Sequence, residues 1–107
     1  EIADYTATPE LAPEGPISGR EAYDLYSAHT LPFLEASGGE VLFSGDSKNF
    51  LIGPLDEQWD HVLLVKHQSS QTFMSFAQNQ DYLAGIGHRT AALADSRLLP
   101  IDEGGSA

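Results

Sequence analysis

The pair His88–Arg89 follows the turn Gly85-Ile86-Gly87. An imidazole at that place can exchange a proton near neutral pH, and a guanidinium can grip a carboxylate through two parallel hydrogen bonds. His29, on the first helical stretch with Tyr23 and Tyr26, can line the same cleft with a second imidazole and two phenols. Trp59 and Asp60 head the most apolar strand and offer an aromatic wall and a base. Taken together, these residues read as a site for a small acidic or aromatic molecule. His88 or His29 would move protons, while Arg89, Trp59, Asp60, Tyr23 and Tyr26 would hold the ligand. The competing reading is structural, with Arg89 or Arg97 paired to Asp95 and His88 capping a helix end. For Arg97, beside Asp95, bracing is the better fit.

Other chemistries find no support. His61 and His67 share a strand face but lie six residues apart, about 20 Å at a typical strand rise, so they cannot bind one metal together. Neither His-x-x-x-His nor His-Glu-x-x-His spacing occurs, and the chain has no cysteine. Disulfides, thiolate metal sites and a cysteine nucleophile are therefore excluded, and no metal or cofactor is expected. The run FSGDS at 43–47 lacks the Gly-x-Ser-x-Gly frame of a nucleophile elbow. The GIG turn follows no strand and lacks a third glycine, so it is no dinucleotide fingerprint.

Charge narrows the partners. Sixteen acidic residues face five Lys or Arg, a formal net charge of −11. No cationic surface can be built to displace counterions from nucleic acid, and anionic membranes would be repelled. The longest apolar run, VLLV at 62–65, is far too short to span a bilayer. With no basic-then-apolar leader in the chain, the expected location is the cytoplasm. At 107 residues with 41% hydrophobic composition, a single domain is expected. A chain of that size buries roughly 65% of its unfolded surface, enough for one core without staples.

These side chains must be positioned by a small set of elements. Residues 1–17, with prolines at 9, 13 and 16, read as an irregular arm. Ser18 and Glu21 match a capping box and open a helix, Pro32 is expected to kink it or start a fresh turn, and SGG at 37–39 ends it. Strand signals follow at 40–45, 50–53 and 59–67, with a last one at 97–101. A serine-capped helix covers 69–78, and 81–93 reads as a helix broken at Gly85–Gly87. The domain thus spans 18–101, and 102–107 is expected to be a flexible tail.

That order is α+β. It matches a ferredoxin-like βαββαβ unit with an antiparallel sheet whose first strand is missing. A strand upstream of Glu1 is the expectation; the alternative is that IADYTA, 2–7, fills that place.

Strand side chains alternate between faces. Trp59, His61, Leu63, Val65 and His67 fall on one face, Asp60, Val62, Leu64 and Lys66 on the other, so both are apolar at the centre. The same alternation puts Val41 and Phe43 on one side and Leu42 on the other. The helices suffice to cover one face. The second face calls for another copy of the same sheet, and burying six such side chains at roughly 1.5–3 kcal/mol each would hold a homodimer together.

The runs SGREAYDLYSAHTLPFLEASGGEVLFSG, FLIGP, WDHVLLVKH, DYLAGIGHR and DSRLLP resemble the family known as domain of unknown function 1330, over residues 17 to 101. That family is similar to the dimeric α/β-barrel superfamily, whose ferredoxin-like protomers pack sheet against sheet. The resemblance therefore also implies a homodimer and a strand before the arm. Relatives in the wider superfamily include cofactor-independent monooxygenases, lactone isomerases and haem enzymes, so it implies no single activity. A cofactor-independent enzyme with a histidine proton shuttle stands beside the simple binding protein.

Overall fold

The computed structural model describes residues 1–101; the expected tail, 102–107, lies outside them. The elements in chain order are helix α1 (Gly19–Ala36), strands β1 (Glu40–Asp46) and β2 (His61–Lys66), and helices α2 (Ser70–Ala77), α3 (Gln80–Leu83) and α4 (Ile86–Ala92). This is an α+β protein with a two-stranded antiparallel sheet.

Local chemistry starts helices α1, α2 and α3. Ser18 Oγ accepts from the Glu21 amide at 3.1 Å, and the Glu21 carboxylate accepts from the Ser18 amide at 3.0 Å. Ser69 and Thr72 repeat the arrangement at α2, while Asn79 Oδ1 takes two amides at the start of α3. Each bond satisfies a donor that the first helical turn leaves orphaned. Helix α1 ends where Gly38 adopts φ +86° and Gly39 N donates to Leu34 O at 2.9 Å. A side chain would be strained at Gly38. Helix α1 continues through Pro32, so of the two expected outcomes no fresh turn begins there. Pro32 and Ala28, the residue whose carbonyl loses its partner, are both exposed, so water can replace the missing bond.

Between α1 and the sheet, Leu34, Phe76 and Tyr82 form the core, with Tyr26, Phe33, Val65, Leu83 and Ile86 packed around them. Helix α4 lies along α1, and small residues let them approach. Ala22 and Ala91 are buried between them, and a Cβ on Gly19 would stand 2.9 Å from Ala92 O. The irregular arm is tied down on this pair. Asp4 N donates to Ala91 O and Gly19 N to Glu1 O, while Thr8 and Leu11 fill the space a side chain at Gly87 would need.

Three expectations fail here. Residues 50–53 and 97–101 form no strand. Apolar alternation makes a strand only where another strand's free edge can pair with it, and within the described chain neither segment finds one. Segment 2–7 makes only an isolated bridge from Ile2 to Ser18, so it does not supply a sheet strand. Finally, the register slips between Val41 and Phe43: Val41 pairs with Val65, whereas Phe43 pairs with Leu64. The two residues thus lie on opposite faces, not one, because Leu42 is a bulge.

The uncovered face is accordingly rich in apolar side chains. Phe43, Val62 and Leu64 are 58%, 51% and 47% exposed. Phe43 lays its ring over Gly45, where a Cβ would meet it at 2.9 Å.

Candidate functional site

Helices α1 and α4 and the start of β2 bring phenols, a guanidinium and an imidazole near one another. Tyr23 and Tyr26 point from α1, one turn apart, with ring centroids separated by 5.5 Å. Tyr26 Oη bonds to Tyr82 Oη at 3.0 Å, and Tyr82 stacks on Phe76 at 4.5 Å. Burial, reinforced by the Tyr82 hydroxyl, pushes the Tyr26 phenol far above its ordinary pKa; burial raises Tyr23 as well. Both therefore remain neutral donors. Arg89, on α4, is near enough for its positive charge to draw both phenols partly back.

Arg89 is partly buried, and among the described residues its guanidinium makes neither an ion pair nor a hydrogen bond. The other two arginines are neutralised: Arg20 by Asp46 at 2.8 Å, and Arg97 by Asp95. In a chain with a net charge of −11, an unpaired and partly buried arginine is the exception. Arg97 also lies over the Trp59 ring, 5.1 Å from its centroid. It braces the loop, as its position beside Asp95 suggested.

The two histidines expected beside Arg89 have other partners. His88 Nδ1 is 2.7 Å from Tyr5 Oη, so this ring faces the arm rather than the tyrosine pair. Burial, and then the nearby His29, lower its pKa below the usual imidazole value. His29 Nε2 donates to Asp81 O at 2.7 Å, and its ring fills the space over Gly85 beside Phe33. A side chain at Gly85 would collide with that imidazole, which explains the glycine there. With Asp56, Glu57, His61 and Asp95, Trp59 and Asp60 line a separate, open depression of about 270 Å³ that shares His61 with the tyrosine group. Four carboxylates make that depression unfit for an anion.

The side chain that joins the tyrosines instead is His61, 6.0 Å from Tyr23 between ring centroids. Its Nδ1 is 3.0 Å from Asp46 Oδ1 and its Nε2 3.0 Å from Ser44 Oγ. Asp46 accepts from both Arg20 and His61, and these two bonds hold its carboxyl below the ordinary range. The sequence weighed His61 only as a metal ligand. The signal for this role is the alternation Ser44-Gly45-Asp46, but it points at His61 only once the strand register is known. Among the described residues, no group of three or more His, Asp or Glu could hold a metal ion, and no helix is long and apolar enough to cross a membrane.

This α+β fold has close counterparts among solved structures. The chain superposes on the crystal structure of the methylated RPA0582 protein with a TM-score of 0.77 and 34% identity, over 96% of this chain and 74% of that one. A second crystal structure, of the RPA0582 protein of unknown function from Rhodopseudomonas palustris, gives a TM-score of 0.74 and 36% identity over 86% and 73%. The chain belongs to the same family as the RPA0582 protein. No family model and no curated protein matches it.

Proposed function

We propose that the protein binds a small aromatic or acidic molecule in the cleft between the sheet and helices α1 and α4. Arg89 would receive the carboxylate, while Tyr23 and Tyr26 supply a ring surface and neutral hydroxyls. The observation that carries this reading is the unpaired guanidinium of Arg89, a partly buried residue whose charge acts on both tyrosines. A cation so placed gains more from a bound anion than an exposed one does, because the surroundings screen it less. His61, already oriented by Asp46, is the group best placed for proton transfer if the bound molecule reacts.

The protein that does this is a homodimer of ferredoxin-like protomers, of the kind the resemblance to domain of unknown function 1330 implies. The helix, strand, strand, helix order and the bare apolar face support it. The cofactor-independent enzyme and the binding protein share this site, and turnover alone separates them.

The test is calorimetric titration with benzoate and salicylate as probes. Binding to the wild-type chain should weaken at least tenfold in Arg89→Ala, a loss of about 1.4 kcal/mol. The Arg97→Ala protein should bind as the wild type does. Equal affinity of the Arg89→Ala and wild-type chains sinks the assignment.

A further inference from the structure

Ser44, His61 and Asp46 stand hydrogen-bonded in a row, and we propose that they form a nucleophilic relay in which Ser44 Oγ is acylated by small aryl esters. Their spacing follows from the sheet. Asp46 and His61 are cross-strand partners, and Ser44, two residues back on β1, projects from the same face. His61 is thus flanked on both sides by strand residues, on rigid elements rather than on a loop.

For the neutral His61 ring, the ionised Asp46 sets the hydrogen-bond directions. An ionised Asp46 can only accept, so His61 carries its proton on Nδ1 and donates it across 3.0 Å. Nε2 of the neutral ring is then an acceptor, and Ser44 must donate its hydroxyl proton to it across 3.0 Å. Nucleophile, base and orienting carboxylate therefore stand in the order that acyl transfer requires. Such a relay is defined by its geometry, and the nucleophile elbow absent from FSGDS is only one way of presenting a serine. Ser44 is exposed, so a substrate can reach Oγ. Tyr23 offers a ring beside His61 for an aryl group. Arg20, bound to Asp46 through one terminal nitrogen, places a cation at this end of the cleft.

Ser44 Oγ attacks the ester carbonyl carbon, and its proton passes to His61 Nε2. The bond from that carbon to the aryloxy oxygen then breaks, and the same proton goes to the departing phenol. Water attacks the acyl-serine, gives a proton to Nε2, and Ser44 leaves with that proton as the free hydroxyl. The products are a phenol and a carboxylic acid, and water is the only co-reactant.

The experiment exposes the intact chain to a fluorophosphonate probe and maps the adduct by peptide mass spectrometry. One adduct is expected, on Ser44. It should be absent from Ser44→Ala and form about a hundredfold more slowly in His61→Gln, the size of a general-base contribution. p-Nitrophenyl acetate should give a burst of one phenol per chain. Absence of any adduct on the wild-type chain, labelling confined to another serine, or an undiminished rate in folded His61→Gln overturns the relay. The wild-type result is decisive on its own should a variant fail to fold.

Discussion

Both His67 and His88 pay for their burial in protonation. Desolvation lowers the pKa of each, and His67 Nδ1 is buried without a hydrogen-bond partner, its ring edge against Phe73. Their folded pKa values lie below the unfolded value of about 6.5, so the unfolded chain binds more protons just under that pH. Stability from these rings is complete above about pH 6.5 and is lost as the pH falls below it. Melting temperature should hold steady from about pH 8 to 7 and decline from about pH 6.5 to 5.5, before most carboxylates titrate. Tyr5 from the arm and His29 from α1 face His88, so His88→Gln should flatten part of that decline. Identical slopes in the two proteins would show that other groups carry the acid response. That Tyr23 and Tyr26 lie side by side was legible in the chain, because helix spacing sets them one turn apart. His61 was not, since nothing near residue 61 tells which residues of β1 stand opposite.

Helix starts were readable because their chemistry is local. Ser18 with Glu21, and Ser69 with Thr72, satisfy amides three residues away, so four letters of sequence suffice. Ser18→Ala should remove one such bond and cost about 1 kcal/mol. In a domain of this size that lowers the melting temperature by about 4–8 °C, measurable by calorimetry. An unchanged melting point would mean that the arm, through the bond from Gly19 N to Glu1 O, holds the helix start by itself. Strands obey another logic. The runs at 50–53 and 97–101 are as apolar as β1, yet Leu51, Ile52, Leu98 and Leu99 remain exposed without a ladder. Alternation reports a capacity to pair, and the partner is a property of the assembled sheet.

On the scale of the whole molecule, the proposed dimer accounts for apolar side chains pointing both ways from the β-layer. Phe43, Val62 and Leu64 form the face that a second copy would cover. Leu64→Asp should shift the sedimenting species from two chains to one while leaving the circular dichroism of the helices intact. A wild-type protein sedimenting as one chain at micromolar concentration would remove the dimer from the proposal. That face and the opposite one, with Ser44, Asp46 and His61, depend on Leu42 staying out of the ladder. Without Leu42 out of step, Phe43 would stand opposite Leu63, Gly45 opposite His61 and Asp46 opposite Asp60. The aromatic ring would then turn inward, and the hydroxyl and the carboxylate would turn outward, away from the imidazole. A single-codon deletion at Leu42 would by the same logic leave both faces standing, because Phe43 would then follow Val41 directly and still meet Leu64.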